Sequence, residues 1–483
     1  MMLLKRISAN ITGRAVRPSY LCHRETSLKA FVRLLASGQH QHGSKAEENF
    51  DLPWWEEASV YVHWPYCQRH CTYCNFNKYV VPRIDQERMK HCLVTELKTL
   101  LGISGIKRVT SIFFGGGTPN LARPDVLGAV IETANQFGIM SEGTEISMEA
   151  NPTALDAQKL LDFKAIGINR LSLGIQAINN ADLKLLGRDH TVEQSLACVD
   201  RAKAVYPGHV SLDVIFGRPG QSLHAWLTEL HQILRICDDH LSLYQLTLEP
   251  GTALYRLNKE GVISMPDEDT LADMYEAAVD AVLHRGFHRY EVSNFARGIQ
   301  AESVHNKAYW AGKQYIGVGP GAHGRFCPVT ENIRHPKVSE SSQNLTSGRA
   351  KMKPVSQTVP TSWQREARIQ TLEPQTWMQE VKKYGHGTRR AVVQSNFHIL
   401  QEFLLMALRT PSGISNLTWQ QFLPGGTLME VFGLNEFVRE AVQTGLVELD
   451  NIGLRCTGRG LCVLDSIIPP LITCLTEHFQ SKP

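Results

Sequence analysis

From about Ser59 to Phe326, short apolar strand-like runs alternate with stretches in which apolar residues recur at helical spacing. The strand candidates are Ser59–His63, Ser111–Phe114, Glu145–Glu149, Arg170–Gly174, Val210–Phe216 and Leu241–Leu246. Between them lie amphipathic stretches at Asp85–Leu101, Pro124–Phe137, Ala154–Ile166, Asn180–Leu186, Val192–Ala204 and Ser222–Ile236. Six strands alternating with helices predict βα units and a parallel sheet, with chemistry at the C-terminal strand ends. An open doubly wound sheet has the same rhythm, so periodicity alone does not separate it from a partial barrel.

The pattern changes after Phe326. Residues 328–362 are rich in Ser, Gln, Pro, Asn, Lys and Thr and poor in large apolar residues, which predicts a long disordered surface insertion. Then come Ala367–Leu372, a helix at Phe397–Leu408, another at Leu434–Thr444, a hairpin at Leu446–Arg455 turning at Asn451 and Gly453, and a last helix from near Gly458. Helix, helix, hairpin and helix predict a small winged-helix-like α+β domain. The expected divisions are 1–50 (leader and linker), 51–326 (the α/β domain), 327–365 (the insertion) and 366–483 (the C-terminal domain).

Composition narrows this picture. A chain of 483 residues suits one large domain plus a smaller one. A net charge of +3, with no basic stripe on the C-terminal module, gives no argument for nucleic acid. The greasiest stretch, Ile467–Leu475, is too short to span a membrane and reads as broken by Pro469 and Pro470. Between Met1 and Arg24 stand Lys5, Arg6, Arg14, Arg17 and Arg24 and no acid, the composition of a mitochondrial transit peptide; a basic tail without an address is the alternative.

Eleven cysteines, odd in number and dispersed, do not look like a disulfide framework. Cys22, Cys92, Cys198, Cys237, Cys327, Cys456, Cys462 and Cys474 read as structural thiols. Cys67, Cys71 and Cys74 are different. The Cys-x3-Cys-x2-Cys spacing sets three thiolates on one tight loop just after a strand. Electron-transfer clusters and structural zinc sites normally have four cysteines. Three leave one iron of a [4Fe–4S] cluster open, and S-adenosylmethionine (SAM) can chelate it through its amino and carboxylate groups. Zinc completed by His63 or His70 is the competing reading.

Downstream, Gly115-Gly-Gly-Thr-Pro119 ends a strand, where consecutive glycines allow close backbone approach and aim amides at a ligand. A plain strand-to-helix turn would look the same. Glu149 stands at a strand end, Gln176 offers an amide, Arg188 a fork suited to a carboxylate, and Asp213 lies inside an apolar strand, where an unpaired acid is costly. Each alone could be a cap or salt bridge. Together, in this order and each near a strand end, they predict a shared pocket.

These segments, Tyr61 to Cys74, GGGTP, SMEANP, NRLSLGIQ, LLGRDH and LDVIFGRPGQ, resemble the radical SAM family that holds the oxygen-independent coproporphyrinogen III oxidases and the HemW-type haem chaperones. The resemblance covers roughly Ser59 to Phe326, with the C-terminal module also similar. It implies a partial (β/α)6 barrel and SAM contacts at Tyr61, Tyr73, Gly116, Gly117, Thr118, Glu149, Gln176, Arg188 and Asp213. The oxidases carry a fourth cysteine two residues after the third, where this chain has Phe76. The chaperone branch has His-Asn-x-x-Tyr-Trp, here His305-Asn-Lys-Ala-Tyr-Trp310. An imidazole there could ligate haem iron beside Tyr309 and Trp310, or be a hydrogen-bonded histidine among core aromatics. The branch therefore implies haem as ligand, delivery to an acceptor haemoprotein such as a respiratory membrane protein, and a homodimer. A porphyrinogen-converting radical enzyme is the alternative, and an iron–sulfur protein without SAM chemistry a third. The chain departs from the family at Asn75, where an acid is common, at Arg218, where an apolar residue is usual, and in the insertion. The first two put the fine SAM geometry in doubt.

Overall fold

The computed structural model describes residues 56–329 and 364–481, so the leader, Cys22 and most of the insertion lie outside the described residues. The strands are β1 (Glu57–Trp64), β2 (Arg108–Gly116), β3 (Met140–Ala150), β4 (Arg170–Gln176), β5 (Val210–Phe216), β6 (His240–Gln245), β7 (His288–Glu291), β8 (Asn294–Ala296), β9 (Tyr315–Val318), β10 (His323–Phe326), β11 (Glu366–Gln370) and β12 (Thr388–Val393). They form one sheet in the order β12-β11-β10-β9-β1-β2-β3-β4-β5-β6-β8-β7. Neighbours from β1 to β6 are parallel. Their order has no reversal, and a doubly wound sheet requires one. The α/β fold is thus the predicted partial-barrel arrangement, extended on both sides by strands that periodicity did not reveal.

Side chains alternate across these strands. Ala58, Val60, Ile112, Phe114, Met148, Leu171, Leu173, Leu212, Val214, Leu241 and Leu243 join one core with the apolar faces of the helices. That core includes Leu93 and Leu97 of the helix Gln86–Ser104, Val126 and Val130 of Pro124–Gln136, and Leu230 and Ile233 of Leu223–Ile236. The opposite face of the same strands carries Ser59, Tyr61, Ser111, Ser147, Glu149, Arg170, Ser172, Ser211, Asp213, His240 and Ser242. One face builds the hydrophobic core, and the other lines a polar lumen.

The C-terminal part has the predicted elements. Helices span Asn396–Ala407 and Glu436–Gln443, and Ile414–Ser415, Val447–Leu449 and Gly453–Cys456 make a three-stranded sheet. One expectation fails. Pro469 and Pro470 do not break the chain but lie inside the helix Leu464–Gln480, which buries Ile467, Ile468, Leu471 and Leu475. Each proline removes one ladder N–H; the continuous apolar face packed beneath them keeps the helix together.

A buried carboxylate ties the elements flanking the sheet. Glu96, on the helix Gln86–Ser104, accepts from the amides of Gly319 (2.7 Å) and Gly387 (2.7 Å) and from the Trp377 indole (3.0 Å). These donors favour the anion, but burial outweighs them and lifts the Glu96 pKa to about 7. Glu96→Gln turns an NH2 toward N–H donors and leaves buried groups unpaired. A loss of about 1–3 kcal/mol in denaturant unfolding is expected.

Candidate functional site

The loop after β1 is pinned before any ligand is considered. Cys67 N donates to Tyr79 O (2.9 Å), Tyr79 N to Pro65 O (2.7 Å) and Thr72 N to Leu186 O (3.1 Å). Cys67, Cys71 and Cys74 are each partly buried and unbridged. Thr118 Oγ1 donates to Cys67 Sγ (3.4 Å) and Arg188 Nη1 to Cys71 Sγ (3.4 Å). Burial pushes the Cys67 thiol up to about 11, so a thiolate there needs compensating positive charge. Among the described residues no three His, Cys, Asp or Glu side chains converge as ligands of a single metal ion would. His63 does not complete a zinc site: its Nδ1 faces the Tyr61 hydroxyl (3.0 Å) and its Nε2 the Asn77 carbonyl (2.8 Å). The carbonyl only accepts, so Nε2 carries the proton and Nδ1 accepts from Tyr61.

The glycine turn lies against this loop. Gly116 has φ of +108°, and a Cβ at Gly117 would stand 2.7 Å from Tyr66 O. The expected free amides are not found. Gly116 N donates to Glu149 Oε2 (3.0 Å), Gly117 N to Trp64 O (2.7 Å) and Thr118 N to Tyr66 O (2.9 Å). These glycines serve close approach of the turn to the cysteine loop, which takes up their N–H groups.

Glu149 and Asp213 face the lumen from β3 and β5. Burial, then the Asp213 charge, raises Glu149 to about 8, against the single Gly116 amide. Asp213 is also raised by burial, although Ser172 Oγ donates to it at 2.8 Å. Burial and the Glu149 charge likewise raise Tyr61. Arg188 donates through Nη2 to Gly174 O (2.9 Å), while its buried Nε has no protein partner. Gln176 is the non-glycine residue with positive φ (65°) among the described residues, a strained conformation of the kind that gathers at functional sites. Tyr73 packs on Leu186, Ile215, Leu246 and Leu254, and burial raises its hydroxyl.

His305 sits along the same lumen, nearer the strand starts. It is 2% exposed, on the helix Val304–Trp310, whose first amides are capped by Glu145. Its Nδ1 meets Ser111 Oγ (2.9 Å), and burial lowers its pKa to about 3. The ring stacks on Phe113 (4.9 Å), which stacks on Tyr61 (6.2 Å). An aromatic column thus joins the histidine motif to the pocket. His305 Nε2 is buried without a protein partner.

A polar network in the lumen and the partners of Arg218 were not visible in the sequence. A lumen network links Ser211 to His240 (2.7 Å), His240 to Tyr290 (2.8 Å) and Ser242 to Asn294 (2.8 Å). Its trace was the serine at alternate positions of otherwise apolar strands. Arg218, the departure near the pocket turn, is buried; it pairs with Glu229 and Asp182 and donates to Ile215 O (2.7 Å). Its charge is compensated by Glu229 of the helix Leu223–Ile236 and Asp182 of the helix Asn180–Leu185.

Residues 61–233 match the Radical SAM superfamily, and residues 395–463 match the HemN C-terminal domain. The chain is 45% identical over 426 residues to radical S-adenosyl methionine domain-containing protein 1, mitochondrial, of Mus musculus, covering 88% of this chain and 90% of that protein. It is 36% identical over 267 residues to heme chaperone HemW of Bacillus subtilis (strain 168), covering 55% and 70%. Coproporphyrinogen III oxidase (HemN) from Escherichia coli, a radical SAM enzyme, superposes with a TM-score of 0.64 over 93% of this chain and 94% of its own, at 18% identity. That likeness concerns the fold.

Cys71→Ser removes the thiol that Arg188 faces. Iron per chain after anaerobic reconstitution is expected to fall to near background; normal iron in this variant would refute the ligand assignment.

Proposed function

The chain belongs to the radical SAM family that includes the mitochondrial radical S-adenosyl methionine domain-containing protein 1, and from that premise we propose that it is a mitochondrial haem chaperone. It binds haem and passes it to acceptor haemoproteins, a respiratory membrane protein among them, and works as a homodimer. Relatives named heme chaperone HemW support the haem assignment, and relatives named mitochondrial support the address. The observation that weighs against an oxidase is Phe76. This side chain is 47% exposed two residues after Cys74, where the oxidases carry a further cysteine. In this reading residues 1–50 are transit peptide and linker, 51–326 the radical SAM domain, 327–365 an insertion and 366–483 the C-terminal domain.

Family membership implies SAM and a [4Fe–4S] cluster. We assign the cluster to Cys67, Cys71 and Cys74, and SAM to Tyr61, Tyr73, Gly116, Gly117, Thr118, Glu149, Gln176, Arg188 and Asp213. The donor set fits: three thiols with hydrogen-bond donors on two of them, an orphan guanidinium N–H, and two buried carboxylates. Together SAM and the cluster supply one-electron chemistry when bound. Arg188 Nε is the free donor for a carboxylate, and Asp213 accepts from a hydroxyl. Glu149 holds a proton that a cationic ligand displaces. His305 is the proposed haem ligand, through Nε2; reaching it requires the helix Val304–Trp310 to shift on β2.

Two measurements test this. Reconstituted protein should bind haem with a Soret band that His305→Ala shifts or abolishes, and should leave coproporphyrinogen unchanged. Formation of protoporphyrinogen, or no haem binding by the wild type, would overturn the chaperone reading. Independently, Glu149 is protonated below its folded pKa of about 8. A cation bound beside it lowers that pKa, so SAM binding near pH 7 should release close to one proton and tighten as pH rises toward 8. Calorimetry in buffers of different ionisation enthalpy reads the proton, and Glu149→Gln should eliminate it.

A further inference from the structure

Two of the three cysteine sulfurs have a side-chain donor, the backbone of the third has one, and each donor comes from a different place in the chain. Thr118, after β2, donates to Cys67 Sγ (3.4 Å), and Arg188, after the helix Asn180–Leu185, donates to Cys71 Sγ (3.4 Å). The third is Lys78, in the cysteine loop itself, whose ammonium donates to the carbonyl oxygen of Cys74. That hydrogen bond holds the ammonium at the Cys74 end of the cysteine loop. Thr118 and Arg188 already have a place in the SAM pocket; Lys78 has none. Among the described residues it makes no ion pair, so no carboxylate cancels its charge where the thiols sit.

One-electron reduction of an iron–sulfur cluster adds negative charge to it. A fixed cation beside the ligating sulfurs favours the reduced state, and hydrogen bonds to the sulfurs act in the same direction. We propose that Lys78 is a tuning residue: its ammonium, assisted by the Thr118 hydroxyl on Cys67, raises the midpoint potential of the cluster held by Cys67, Cys71 and Cys74. This rests on the assignment of a cluster to those cysteines. A purely structural Lys78 would pin the loop through the Cys74 carbonyl and leave the potential alone.

An anaerobic redox titration of the reconstituted full-length chain, with dithionite and mediators and followed by electron paramagnetic resonance, separates the two. Iron and sulfide per chain are measured on every sample. The expected order of midpoints is wild type close to Lys78→Arg, then Lys78→Gln, then Lys78→Glu most negative, at equal cluster content. Thr118→Val should also move negative, by less. Wild-type midpoints in fully loaded Lys78→Gln and Lys78→Glu would overturn the proposal. If those two variants do not assemble a cluster, an unchanged midpoint in Thr118→Val would overturn it instead. Failure of the wild type to take up iron would sink the cluster assignment itself, and this proposal with it.

Discussion

The inner face of the parallel sheet is polar, and a buried polar group must find a partner or keep a high free energy. The lumen meets that demand with hydroxyls, a histidine and an asparagine that satisfy one another from strand to strand. The network is not complete: Ser59 Oγ, Ser147 Oγ and His305 Nε2 lack a protein partner along the lumen, and at its C-terminal end charged groups are left incomplete as well. Glu149 has one amide for its carboxylate, and Arg188 keeps an N–H without an acceptor. These incomplete groups lie beside the cysteine loop, and together they define the pocket.

The same logic explains how the C-terminal part is joined to the barrel. Beyond β1 the sheet continues with β9, parallel to β1, and then with β10 to β12, each antiparallel to its neighbour, and buried ion pairs hold the helix Asn396–Ala407 to it. Arg325 and Arg365 both engage Glu402, and Arg409 engages Glu291 while lying over the Trp310 ring (4.7 Å). Because Trp310 ends the helix that carries His305, that helix is in contact with both the lumen and the C-terminal part. A movement of His305 toward a ligand would therefore be felt at Arg409.

Much of this was legible in the chain. The strands β1 to β6 lie where the apolar runs are, because a strand packed against helices on one face needs Val, Leu, Ile and Phe at alternate positions whatever its neighbours do. The cysteine loop was legible because ligand spacing is a local property. The strands β7 to β10 and β12 were not, since they are short and owe their pairing to remote partners; β11 falls on the Ala367–Leu372 segment. The amides of Gly116 and Gly117 were misjudged for a similar reason: a glycine run reports freedom of the backbone, not which carbonyl will lie beside it. Arg218 looked like an intrusion into the pocket because its partners, Asp182 and Glu229, lie 36 and 11 residues away along the chain.

By itself the sequence determined the βα rhythm, the three-cysteine loop, the loss of a fourth cysteine at Phe76 and the motif beginning at His305. Each is encoded within a few residues or in a strict repeat. Only the tertiary structure decided that β1 to β6 run without reversal, that His63 is occupied by Tyr61 and Asn77, and that His305 lies buried in a column with Phe113 and Tyr61. It also set Lys78, Thr118 and Arg188 around the cysteines. Such facts depend on the distance between groups far apart in the chain, and in the buried lumen it is that distance, more than residue type, that decides whether a charge or hydroxyl is paired, strained or available.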